Sequence, residues 1–233
     1  MAIPESDRVR LTPAEVHAAL AAQELHDWEL LAGVLHARYA TGSFAAGVAL
    51  VAAVGAAADA ADHHPDLDLS YPRVLVRLSS HDVGGITARD LRLARTISEL
   101  AAAQGARPER AAVQALELSL DTDDLDVVAP FWAALLGYRA SGDELVDPAG
   151  RGPVVWFQQR DPADRGSGEG RRQAWHPDVW VPADQVASRV EAALAAGGRL
   201  VSDAEAPSYI VLADPEGNRV CLCTSQGRGP QAG

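Results

Sequence analysis

Apolar and polar positions alternate along the first hundred residues in a way that sorts them into helices and strands. "LTPAEVHAALAAQ" (11–23) predicts a helix, with Thr12 as N-cap, Pro13 at the first helical position and Glu15 closing a capping box. "DWELLAG" and "VLHARYA" predict the two strands of a hairpin. Ser43 caps a second helix, in which Phe44, Val48, Val51 and Ala58 recur at helical spacing. Pro65 cannot continue that helix, which puts His63 in its last turn and His64 just beyond. "YPRVLVRLSS" (71–80) alternates as a strand, and "TARDLRLARTISELAAAQ" (87–104) is a third helix capped by Thr87, with Asp90 three residues on.

After "GARPERAAV" (105–113), short and polar with Gly and Pro, the pattern changes. "ALELSLDTDD" is a strand, and "LDVVAPFWAALLG" a helix with Pro130 expected in its first turn. "YRASGDELVDPAG" and "PVVWFQQRD" add strands, and "GSGEGRR" is a loop. Then the order recurs: "HPDVWVP" as strand, "ADQVASRVEAALAAGG" as helix, "YIVLADPEGNRVCLCT" as hairpin. The expected fold class is α+β in two parts. Three helices on a small antiparallel sheet fill 1–104, a linker follows at 105–112, a paired βαβββ module spans 113–226, and 227–233 is a flexible tail.

Composition narrows the function. A formal net charge of −12 disfavours a general nucleic-acid binder, which needs basic surface against phosphate, and disfavours docking on anionic membranes. The two cysteines, Cys221 and Cys223, sit two apart and form no disulfide framework, so a cytoplasmic location is expected. "MAIPESDRVR" lacks the apolar core of a signal peptide. The run from Phe44 to Ala58 is too short and alanine-rich for a spanning helix, so a buried soluble helix is expected there and no membrane partner.

The candidate chemistry sits in "ADHHPDLDLSYP" (61–72). On a helix, Asp59, Asp62 and His63 share one face, and His63 lies near the negative end of the helix dipole. His81 follows the next strand and Asp90 opens the next helix. Imidazole is the side chain suited to moving protons near neutral pH. Taken one at a time, these histidines also fit a solvated helix end and a loop. A metal is a further reading, but no standard zinc spacing is present.

The stretch resembles the pterin-4a-carbinolamine dehydratase family. That pattern is an acid, three residues, His-His-Pro, an aromatic, a further histidine and an aspartate, here Asp59, His63-His64-Pro65, Tyr71, His81 and Asp90. "WEL" (28–30) and "GGITARDLRLA" also look like it, and the resemblance covers roughly residues 8–104. Asp59 departs from the commoner glutamate. The resemblance implies dehydration of 4a-hydroxytetrahydrobiopterin, or a related pterin, to the quinonoid dihydropterin by His63, His64 and His81, without cofactor or metal. It implies Asp59, Asp62, Pro65, Asp90 and Trp28 as substrate-binding residues. The implied partners are a pterin, other copies of the chain in a homo-oligomer, and a pterin-dependent hydroxylase as functional neighbour.

Residues about 113–226 resemble the glyoxalase-like, vicinal-oxygen-chelate superfamily through "FWAALLGYR", "HPDVWV" and "LADPEGNRVCLC". Its metal ligands fall at Glu117, a residue near Gln158, His176 and Cys221. Cys221 replaces the usual glutamate, so no metal is expected. Two rival functions remain: a glyoxalase-like enzyme with the pterin domain as sensor, and a non-catalytic pterin-binding or assembly protein. Direct assay of dehydration discriminates them.

Overall fold

In a computed structural model of the chain, residues 4–159, 175–213 and 219–228 are described. The chain divides into two compact units, one of Met1–Val113 with Pro182–Asp184 and the segment from Ser225, the other of Gln114–Val181 and Gln185–Thr224. The "GSGEGRR" loop, the 214–218 turn and residues 229–233 of the expected tail lie outside the described residues.

The first unit begins with α1 (Pro13–Ala22), whose start is fixed as the sequence implies: the Thr12 hydroxyl accepts from Glu15 N–H, and the Glu15 carboxylate accepts from Thr12 N–H at 2.8 Å. β1 (Trp28–Leu31) and β2 (Val34–Ala40) form the hairpin. α2 (Phe44–Ala61) starts where the Ser43 hydroxyl accepts from Ala46 N–H. β3 (Asp66–Ser70), β4 (Arg73–Leu78) and α3 (Ala88–Ala103) follow. The sheet runs β1-β2-β4-β3, antiparallel throughout. β3 was not among the expected strands, although its "DLDLS" alternates acid and leucine as a strand does. Pairing with β4 stabilises it, and Arg77 donates to Asp68 across the pair at 2.7 Å.

Within the segment expected as linker, β5 (Arg107–Pro108) pairs with β2, and the Glu109 carboxylate accepts from Arg73 at 3.0 Å. The core lies between helices and sheet. Val16 and Leu20 of α1, Leu50 and Val54 of α2, and Leu93 and Ile97 of α3 pack on Leu35, Tyr39, Val74 and Val76. α2 is an 18-residue helix long and apolar enough in composition to cross a membrane, with a minority of it buried in the fold. Its inner face, Gly47, Leu50, Val54 and Ala58, follows helical spacing. Gly47 is there for closeness: a Cβ would meet Leu69 Cδ1 at 2.5 Å. The outer face leaves Phe44 52% and Val48 46% exposed.

The second unit holds β6 (Ala115–Thr122), α4 (Leu125–Leu136), β7 (Arg139–Ser141), β8 (Glu144–Val146) and β9 (Val154–Gln159). It then repeats with β10 (Trp175–Trp180), α5 (Val186–Ala195), β11 (Arg199–Ser202), β12 (Tyr209–Ala213) and β13 (Arg219–Cys223). Its sheet runs β11-β12-β13-β10-β6-β9-β8-β7. β6 pairs parallel to β9, β10 pairs parallel to β13, and the two βαβββ halves meet where β6 and β10 pair antiparallel. Pro130 is not in the first turn of its helix. Asp124 caps that helix early, its carboxylate accepting from Asp126 N–H at 3.0 Å, so the proline falls inside. The carbonyl it leaves unpartnered within the helix belongs to Asp126, which is exposed to water.

His36, on β2 between Glu29 and Arg77 of the neighbouring strands, is buried. Burial, then the Arg77 charge, push its pKa from 6.5 to about 4, against a hydrogen bond to the Leu31 backbone. The folded form therefore refuses a proton that the unfolded chain accepts. Stability should fall as pH drops from about 6.5 to about 4, by roughly 3 kcal/mol in total. Hydrogen exchange of the β2 amides should show this loss in the native chain and a flatter profile in His36→Gln.

Candidate active site

Asp90 is wholly buried, and the site is built around it. It is the third residue of α3, and its Oδ2 accepts from the Thr87 N–H at 2.8 Å and the Thr87 hydroxyl at 3.1 Å, completing a capping box. The same oxygen accepts from the Ser80 hydroxyl at 2.7 Å. Its other oxygen, Oδ1, meets His63 Nε2 at 2.8 Å. Burial pushes the carboxyl's pKa up, but hydrogen bonds from His63, Ser80 and the Thr87 N–H outweigh that and leave it below its ordinary 3.8. An ionised carboxylate only accepts. His63 Nε2 must therefore be the donor, which leaves Nδ1 as the nitrogen not bound to Asp90.

The path of the chain into His63 differs from expectation. α2 stops at Ala61, and Asp62 turns left-handed at φ 48°. The His63 N–H then reaches back to Ala58 O and the Asp62 N–H to Asp59 O, at 3.2 and 3.3 Å. These two bonds are a Schellman closure, so His63 stands outside the last helical turn. Asp59, Asp62 and His63 consequently do not share a helical face. The turn sends His63 inward to Asp90 and leaves His64 60% exposed, with Nε2 3.1 Å from the exposed Asp59 carboxylate. Such a surface pair holds its partners weakly.

His81 is exposed and directly follows Ser80, whose hydroxyl is bound to Asp90. Ser80 N–H donates to Gly85 O, and Val83 N–H to Ser80 O, which closes the loop that begins at His81. Pro65 is half-buried and Asp62 exposed. Trp28 is deep in the core, where its indole N–H donates to Ser98 at 2.9 Å, and Ser98 donates to Asp27. It is not among the groups gathered at Asp90. A cavity of about 160 Å³ in this unit, bordered by Arg10, Thr12, Gly85 and Ile86 among others, has none of the three histidines in its lining. It is lined mainly by apolar side chains and backbone.

Comparison with known proteins finds relatives for both parts of the chain. Residues 9–100 match the model of the pterin 4 alpha carbinolamine dehydratase family. A relative from Thermosynechococcus vestitus, provisionally named a pterin-4-alpha-carbinolamine dehydratase, is 42% identical over 92 residues, covering 40% of this chain and 95% of its own. The chain belongs to the pterin-4-alpha-carbinolamine dehydratase family. A Nocardia farcinica relative with the same provisional name is 45% identical over 83 residues, 36% of this chain and 87% of its own. Among solved structures, a transcriptional coactivator/pterin dehydratase from Brucella melitensis is 29% identical, covers 40% of this chain and 99% of its own, and has a TM-score of 0.38. Residues 117–223 match a glyoxalase-like domain.

In that second unit the four positions of the ligand pattern do not act as one set. Glu117 accepts the Trp180 indole N–H at 2.7 Å, and Gln158 is exposed. His176 and Cys221 do approach one another, joined by Asp178. The Asp178 carboxylate raises the His176 pKa above 6.5 against the effect of burial, with Asp121 adding to the rise.

One partner of Asp90, Ser80, escaped sequence reading because it carries no motif, whereas Thr87 was legible as the cap. Asp178 was also passed over, although its spacing of two from His176 places both on one face of a strand.

Asp90→Asn should cost about 1–3 kcal/mol, because it replaces a buried acceptor with an amide whose N–H₂ faces donors. Hydrogen exchange of the first-turn amides of α3 measures it. Because the folded pKa lies below 3.8, the wild-type carboxylate gives its full stabilisation above that value and loses it as pH falls through the lowered pKa. The variant should lack that acid-dependent loss.

Proposed function

We propose that the chain dehydrates 4a-hydroxytetrahydrobiopterin, or a closely related 4a-hydroxytetrahydropterin, as a hydro-lyase. The observation that carries the reading is the His63–Asp90 pair, with His64 adjacent in sequence and His81 adjacent to Ser80 on the same carboxylate. In the reaction the C4a–O bond breaks and the hydroxyl leaves as water after receiving a proton. The N5–H bond breaks and its electrons form the C4a=N5 bond of the quinonoid dihydropterin. One proton is given and one taken, so a set of imidazoles returns to its starting state without an external acid or base.

His64 and His81 are the exposed members and carry these transfers in this reading. His63, fixed as the tautomer with Nε2 protonated, presents Nδ1 to the pterin as acceptor and holds the ring. Asp59 steadies His64, and Asp62 and Pro65 shape the approach. The substrate is the species a pterin-dependent hydroxylase leaves behind, so the natural setting is recycling of that cofactor in the cytoplasm. The exposed apolar residues Phe44 and Val48 on α2 support assembly of the chain with further copies through this helix.

His64→Ala and His81→Ala should each slow dehydration of freshly generated 4a-hydroxytetrahydropterin by about 10²–10⁴-fold while the chain stays folded. Wild-type rates in both variants would remove the assignment. Val48→Glu should shift the chain to a smaller species in light scattering coupled to gel filtration; an unchanged mass would place the oligomer contact elsewhere.

A further inference from the structure

β10 presents His176 and Asp178 on one face, and Asp178 is paired in register with Cys221 of β13. Their donor atoms all lie within 4.8 Å of one another. His176 Nδ1 is 3.5 Å from Asp178 Oδ1 and 4.0 Å from Cys221 Sγ. Zinc bonds of about 2.0–2.1 Å to nitrogen or oxygen and about 2.3 Å to sulfur set donor–donor edges of roughly 3.3–3.7 Å in a tetrahedron. The two measured edges therefore need to close by a few tenths of an ångström at most.

Two further observations point to a cation. Asp178 is 7% exposed, and its Oδ1 has no hydrogen-bond partner; at 3.5 Å from His176 it makes an ion-pair contact only. A buried carboxylate oxygen left so is costly unless a positive charge faces it. On the far side of the imidazole, Asp121 Oδ1 stands 3.6 Å from Nε2. A carboxylate behind a ligating histidine is the usual arrangement for fixing its ring.

Only two of the three donors, His176 and Cys221, fall at ligand positions of the glyoxalase-like pattern. Glu117 is turned to the Trp180 indole, and Asp178 occupies a position that pattern does not use. Thiolate and imidazole favour a borderline-soft ion over magnesium or manganese. Against the expectation from sequence, we propose that the glyoxalase-like unit holds one zinc ion on His176 Nδ1, Asp178 Oδ1 and Cys221 Sγ. Asp121 positions the imidazole, and the fourth coordination place is open to water. Binding requires Cys221 to release its proton to solvent.

The test uses the full chain, grown with zinc, dialysed against a weak chelator and analysed for metal. About one zinc per chain should remain. Asp178→Asn and Cys221→Ser should each lose it, Asp121→Asn should weaken zinc binding by about 10–100-fold, and Glu117→Gln should keep it. Cobalt(II) in place of zinc should give a thiolate-to-cobalt charge-transfer absorption in the wild type that is missing from Cys221→Ser. Hydrogen exchange of the β10 amides reports whether each variant is folded. A wild-type chain that retains no zinc and shows no thiolate–cobalt absorption would overturn the proposal. So would zinc retention unaffected by Asp178→Asn and Cys221→Ser, or lost only with Glu117→Gln.

Discussion

A single buried carboxylate, Asp90, decides how the first unit is put together. Its two oxygens collect the N-terminus of α3, the end of β4 through Ser80, and the segment after α2 through His63. A buried charge is tolerated only when several donors surround it, and here each donor comes from a different part of the chain. The carboxylate that closes the helix cap therefore also orients an imidazole. The site has no separate scaffold, and the histidine is oriented only when α3 has formed.

How much of this could be read in advance depended on distance along the chain. Thr12–Glu15 and Thr87–Asp90 were legible as capping boxes because a cap is a local event, three residues long. The bond between Asp90 and His63 spans 27 residues and is visible only once β3 and β4 have brought them together. β3 itself was missed because it is short and three of its five residues are acids or serine, although its two leucines alternate as a strand's do. The end of α2 was misjudged by the influence of Pro65, when Asp62 had already stopped the helix. Pro130 misled in the opposite direction: the cap at Asp124 outweighed the proline's preference for a first turn.

The second unit shows the limit of pattern in another form. Its paired βαβββ order was plain from the recurrence of strands and helices. Its side-chain clusters were not, because Asp178 meets His176 and Cys221 only once β10 and β13 pair. β6, β10 and β13 are adjacent strands, so Asp121, His176, Asp178 and Cys221 come together through register alone. Any one-residue slip between β10 and β13 would turn one member away from the others. This grouping therefore stands or falls with the pairing of the central strands.

Asp62 has a consequence for how the sequence is free to drift. Its left-handed backbone separates two consecutive imidazoles into one inward and one outward ring. Glycine would accept that conformation at no steric cost and asparagine nearly so, whereas a β-branched side chain would resist it by about 1–2 kcal/mol. If the helix instead ran on through position 62, the two histidines would leave it about a hundred degrees apart on the same turn. Neither would then be held as it is now. One dihedral angle, in a residue that donates no proton of its own, thus restricts which amino acids can precede the histidine pair.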